Sequence, residues 1–256
     1  WGGKIRLVSA MLFGMGFIST FVVGGITGIM VASVPFDIHV HDTYFIVAHL
    51  HYVLFGGSVF GIYAAFYHWF PKMTGRMLNE FWGRVHFALT YIGFTVTFLP
   101  MHALGMQGMP RRVAMYDPKF TTINVICTIG AYMLAVSTIP FIVNVIWSWR
   151  YGPKAGDNPW QALSLEWMTT SPPPIENFEG VPVLATGPYD YGMEKIQHTG
   201  ERLRLKLREN ATRNAQKRGI PVAEAQASTF FGGTVTLVEP ESVTDVAPPD
   251  ENRDGE

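Results

Sequence analysis

The sequence predicts an all-α membrane protein with four transmembrane helices and a largely irregular tail. Three observations carry that prediction. Residues 7–36, 43–71, 85–110 and 120–149 contain no Asp, Glu, Lys or Arg, and each block exceeds the roughly 20 residues that cross a hydrocarbon core. Prolines mark the ends of two blocks, at Val34-Pro35 and Phe70-Pro71, where a helix is disfavoured at the preceding residue. Beyond Arg150 the composition turns polar and proline-rich. Helices are expected at about 9–31, 44–70, 85–106 and 120–149, within a region 1–151. A Pro-rich segment, 152–193, and a charged tail, 194–256, follow. The 19 Lys and Arg nearly balance the 20 Asp and Glu, so net charge says nothing about acidic partners; no nucleic-acid partner is expected. The partner that four such blocks demand is membrane lipid.

The first span carries Gly14, Gly16, Gly24, Gly25 and Gly28; Gly24 and Gly28 form a GxxxG spacing that lets helices approach closely. Gly56, Gly57 and Gly61 do the same for the second, which ends in the interfacial pair Trp69-Phe70. Span four holds Asn124, Asn144 and the single Cys127, which excludes a disulfide within the chain. Lys4 and Arg6 precede span one, the loop after it has no Lys or Arg, and the next loop is basic (Lys72, Arg76, Arg84). Arg150 and Lys154 follow span four. The positive-inside tendency therefore puts the start, the second loop and the tail in the cytoplasm. The third loop, with Arg111, Arg112 and Lys119, breaks that tendency, and carboxylates of a ligand held by the two arginines would explain it. In the tail, 194–218 is basic and 239–256 acidic, so the latter is expected to be disordered.

The chain is organised around residues 37–52, DIHVHDTYFIVAHLHY, with four histidines and two aspartates at the mouth of span two. Ionisable groups at membrane depth are costly and point to function. On a helix His49 and His51 stand about 200° apart with about 3 Å of rise. They cannot grip one metal ion, since chelating pairs sit at i,i+3 or i,i+4. The spacing suits one helix serving two cofactors, and separately hydrogen-bonded structural histidines satisfy it equally. His68 and His86 are expected to be structural residues near the cytoplasmic interface, and His102 to lie at the depth of the first cluster.

HDTYFIVAHLHY, then HWFPKMTG, LNEFWGRVHF, LPMHALGMQGMPRR and NPWQALSLEWMTTSPPP, in that order, resemble subunit I of the haem–copper oxygen reductases, most closely the cytochrome c oxidase branch. The resemblance runs to about Phe178 and implies the last four helices of a twelve-helix subunit. It implies that His49 is the axial ligand of a high-spin haem and His51 one axial ligand of a low-spin haem. Arg111 and Arg112 would hold haem propionates, with Asp37 and Tyr44 in the propionate region, and His41 and Asp42 would help bind magnesium. His39 takes no role from the family. Leu50 stands where many members have Phe. The copper ligands, the second low-spin ligand and the proton-input channels would lie outside this sequence, so the chain alone is not expected to be active.

The implied function is oxygen reduction to water with electrons from cytochrome c, coupled to proton pumping. The implied partners are the rest of subunit I, subunits II and III, cytochrome c and oxygen, in a respiratory membrane such as the bacterial plasma membrane. A quinol oxidase of the same family is the nearest alternative. A non-haem transporter or scaffold, and a two-haem electron carrier without oxygen chemistry, are the alternatives of other classes.

Overall fold

The structure is a computed structural model that describes residues 5–178. Four of its helical segments are long and apolar enough to cross a membrane: Ser9–Ala32, Tyr44–Thr74, Glu80–Met106 and Pro118–Tyr151. There is no strand among the described residues, only two isolated bridges, Thr43 with Pro110 and Arg76 with Lys154. Residues up to Ala155 form one unit and those from Gly156 another.

Helix α1 spans Ser9–Ala32. Pro35 does not end the helical run outright; it sits in the first turn of a short helix, α2 (Val34–Val40), where its missing N–H costs nothing. Thr43 opens α3 (Tyr44–Leu54), its hydroxyl oxygen accepting from Phe45 N at 3.2 Å and donating to Val40 O at 2.6 Å. The second span is not one regular α-helix. Residues Phe55–Val59, FGGSV, form a π turn before α4 (Phe60–Thr74) resumes. Pro71 lies inside α4, and the helix stops at Gly75, whose φ of 70° is left-handed, the conformation that glycine adopts without penalty. Helix α5 (Glu80–Met106) starts earlier than expected because Asn79 caps it, accepting from Phe81 N at 2.9 Å and Trp82 N at 3.2 Å. Helix α6 is Thr121–Tyr151.

Aromatic rings fill the interior: Phe13, Tyr52, Phe60, Tyr67, Phe70, Phe94 and Phe98 form one buried cluster with Leu78. Several polar groups between the helices are paired, as hydrocarbon surroundings favour, while His86 Nε2 and His102 Nε2 are buried without a partner. Asn144 accepts from Asn79 N at 3.0 Å and donates to Asn79 O at 2.9 Å. Thr90 donates to Ser137 at 3.0 Å. Ser9 donates to Glu80 from both its N–H (2.8 Å) and its hydroxyl (2.7 Å). His86, near the start of α5, is fully buried between the helices, with Nδ1 3.1 Å from Tyr67 Oη and the rings of Phe13, Tyr63 and Phe141 around it.

At the end where α4 and α6 finish, Met77 N donates to Pro153 O and Ala155 N to Gly75 O, both at 2.9 Å. Arg76 adds a bond to Gly152 O at 2.6 Å. In the second unit, Asp157 accepts from Ser171 N at 3.1 Å and Asn158 closes a turn with Ala162. The remainder of the Pro-rich segment and the charged tail lie outside the described residues.

One close approach sets the spacing of α3 and α5. A Cβ on Gly105 would overlap the backbone and Cβ of Phe45. Gly105→Ala is therefore expected to destabilise by about 1–3 kcal/mol, the usual cost of overpacking. Gly25→Ala, with nothing within 4 Å, is expected to be neutral. Thermal denaturation of the purified complex in detergent distinguishes the two.

Candidate functional site

The site is built where the loop after α5 docks against the start of α3. Tyr44 N donates to Met109 O at 3.0 Å and Arg111 N to Asp42 O at 2.9 Å, beside the Thr43–Pro110 bridge. Asp42 adopts a left-handed φ of 59°. Its carboxylate receives Arg111 Nε at 2.8 Å and a second bond from Arg111 Nη2. That hydrogen bond, above all, holds the Asp42 carboxyl below its usual range. His41 stands beside it, Nε2 3.3 Å from Asp42 and Nδ1 3.8 Å from Asp37. One oxygen of Asp37 is buried without a partner, on a cleft of about 350 Å³ shared with Val31, Ala32, Val34, Ile38 and His41.

The two inner histidines point to different neighbours. His49 faces α1, where its Cε1 would lie 3.2 Å from a Cβ on Gly28 and its Nδ1 is 3.0 Å from Thr27 Oγ1. Thr27 Oγ1 also lies 3.0 Å from the carbonyls of Val23 and Gly24; donating its single proton to either leaves the oxygen to accept from His49 Nδ1–H. His51 faces α5, with its ring stacked on Phe98 at 4.1 Å and 14°. Its Nδ1 lies 2.7 Å from Val47 O, and a carbonyl only accepts. In His51 the proton therefore sits on Nδ1, and in His49 it does so when Thr27 donates to a carbonyl; either imidazole then carries its lone pair on Nε2. Neither Nε2 has a hydrogen bond among the described residues.

The other expected residues fall as follows. Tyr44 packs against Leu104, Met109, Phe120 and Cys127. Arg112 is exposed at a left-handed φ of 63° and has no acid partner among the described residues. His39 is exposed. His102 lies between the rings of Phe45 and Tyr52, with Nε2 buried and unpartnered. Among the described residues no group of three or more His, Cys, Asp or Glu is placed to hold a metal ion, so an ion at His41 and Asp42 would need further ligands or water. Sequence reasoning missed Thr27 and Phe98; the only trace of Thr27 was a hydroxyl inside the Gly24–Gly28 spacing.

The surplus of positive charge in the loop between α5 and α6 is smaller than its residue count. Arg111 is tied to Asp42, and Lys119 lies 3.6 Å from Asp117, which leaves Arg112. Arg6, Arg84, Arg150 and Lys154, by contrast, have no carboxylate partner among the described residues.

Fold and site together define a polytopic helical membrane protein whose second span offers one imidazole lone pair to each side. A family profile described as cytochrome c and quinol oxidase polypeptide I matches residues 1–133. The chain belongs to that family. It is 65% identical over 199 residues to cytochrome c oxidase subunit 1 of Thermostichus vulcanus, covering 78% of this chain and 36% of the relative. Against the Synechocystis subunit 1 it is 66% identical over 194 residues, 76% and 35% of the two. Against that of Corynebacterium diphtheriae it is 53% identical over 186 residues, 71% and 33%. The chain thus spans about a third of the length of the curated relatives it matches. A solved haem–copper terminal oxidase dimer shares the fold, with a TM-score of 0.51 at 21% identity over 57% of this chain and 27% of that one.

Because the Asp42 carboxyl is depressed by Arg111, the tie is present above the ordinary Asp value and lost as pH falls through the lowered one. Protection of Arg111 N from hydrogen–deuterium exchange, measured against the intrinsic rate at each pH, is therefore expected to hold at neutral pH and to fall only in acid. In Asp42→Asn it is expected to be low at both, and unchanged protection would show that the backbone bond holds the loops by itself.

Proposed function

We propose that this chain is part of the catalytic subunit of a cytochrome c oxidase and supplies one axial imidazole to each of two haems. The observation that carries the reading is the pair of Nε2 lone pairs on opposite sides of α3, each fixed by an occupied Nδ1. That donor chemistry fits axial ligation of haem iron, because a ligating imidazole characteristically donates its other N–H to a carbonyl or similar acceptor. His49 serves the high-spin haem and His51 the low-spin one. When bound, the haems and the copper held by residues outside this sequence supply electron transfer and oxygen reduction to water.

The remaining roles belong to side chains. Arg112, free of an acid partner among the described residues, and Arg111, shared with Asp42, bind propionates. Asp37, with one buried oxygen left unpartnered, and Tyr44 belong to the propionate region. His41 and Asp42 contribute to a magnesium site completed from elsewhere. Thr27 holds the His49 ring against α1, and Phe98 holds the His51 ring against α5. The hydrocarbon-facing aromatic interior excludes water from both. The donor is cytochrome c, the coupled process is proton translocation, and the partners are the rest of subunit I with subunits II and III. The family description also covers quinol oxidases; turnover with ubiquinol in the absence of cytochrome c would select that reading.

In the intact complex, His49→Ala is expected to abolish the carbon monoxide difference signal, while His51→Ala removes the low-spin band from the reduced-minus-oxidised spectrum. Loss of the same band in both variants, or of none, would overturn the assignment of one imidazole to each haem.

A further inference from the structure

Threonines inside the helices of this chain share a habit. Thr20, Thr95, Thr97 and Thr128 each donate to the carbonyl four residues back, at 2.8, 2.9, 2.7 and 2.8 Å, the bond that a helical hydroxyl makes most readily. Thr27, buried on α1, keeps the habit, with Val23 O and Gly24 O both 3.0 Å from its Oγ1. What sets it apart is a further neighbour of that oxygen, His49 Nδ1 at 3.0 Å. A hydroxyl whose proton goes to a carbonyl has only lone pairs left to offer, so it meets the imidazole as an acceptor.

Two glycines bring the imidazole within reach. A Cβ on Gly24 would stand 3.0 Å from backbone atoms of Tyr52 and Val53, and one on Gly28 would stand 3.2 Å from His49 Cε1 and 4.0 Å from Nε2. The Gly24–Gly28 spacing is thus where α3 seats on α1. Thr27 is the polar group in that seat, and Gly28 leaves clear the ring edge that carries the lone pair.

His51 is held differently. Its Nδ1 donates to Val47 O at 2.7 Å, within its own helix. A short bond to an amide carbonyl pulls on the ring proton harder than a 3.0 Å bond to a hydroxyl does. The harder that pull, the more basic the nitrogen across the ring becomes as a ligand. One helix therefore carries two imidazoles of unequal donor strength, and the inequality is decided by what stands at Nδ1.

We infer that Thr27 is a positioning residue for His49, its hydroxyl fixing the ring plane and setting the donor strength of Nε2. This rests on the reading of His49 as a haem ligand and adds to it the group that governs how strongly the ring binds.

The test is the iron–imidazole stretching band of the reduced, unliganded complex, recorded by resonance Raman beside turnover. Thr27→Val keeps the side-chain shape and removes the acceptor. The band is expected to move to lower frequency and kcat to fall by about tenfold, the lower end of what losing such a partner costs. Thr27→Ser is expected to restore both. Thr27→Cys, whose sulfur is a weak acceptor, is expected to fall between them and carries the test if Thr27→Val does not assemble. The low-spin absorption band is expected to stay unchanged throughout, which a general packing defect would not spare. A stretching band that survives in His49→Ala would remove the ligand reading itself. A band lost in His49→Ala but unmoved in Thr27→Val or Thr27→Cys would leave that reading standing and overturn the role of Thr27.

Discussion

The tie between residues 42–44 and 109–111 is the constraint on which the site depends. An unpaired backbone group at the edge of hydrocarbon is costly, and here two chain segments cancel that cost for each other. Thr43 caps α3, Tyr44 N bonds to Met109 O, and Arg111 N bonds to Asp42 O. Together these fix the residue at which α3 begins. Once that start is fixed, helical pitch dictates that His49 meets α1 and His51 meets α5. Gly105 closes the arrangement, because only a residue without Cβ admits the Phe45 backbone.

The polarity of the unit is the reverse of a soluble bundle. Serine, threonine, asparagine and glycine line much of the contact between helices, while isoleucine, valine and tryptophan face outward. Without a hydrophobic force to bring helices together inside lipid, close packing and interhelical hydrogen bonds must do it. The Asn144–Asn79 exchange and the Thr90–Ser137 bond are such links. Thr27 belongs to the same set, its hydroxyl oxygen lying 3.0 Å from His49 Nδ1.

Much of this was legible in the residues, because uncharged length and helical pitch are strong signals. The four spans and the opposed directions of His49 and His51 follow from them. What was not legible depends on tertiary partners. Pro35 reads as a stop, yet it starts α2, since proline is tolerated in a first turn. Pro71 reads as a breaker, yet α4 runs on to Gly75. The π turn at Phe55–Val59 leaves no mark in an apolar run beyond its paired glycines. The burial of His86 needed Tyr67 and Phe141, which are distant in sequence. The excess of positive charge in the loop between α5 and α6 shrinks to Arg112 only because Asp42 and Asp117 stand beside Arg111 and Lys119.

The Asp42–Arg111 pair also bears on assembly. Its members are 69 residues apart, with the whole of the second and third spans between them. A ribosome releases the carboxylate well before the guanidinium, and both spans must cross the bilayer before the two can meet. The ion pair therefore closes a finished transmembrane hairpin rather than guiding its insertion. Until it closes, the nascent chain carries the arginines as bare charge and obeys different topological forces from those of the folded protein.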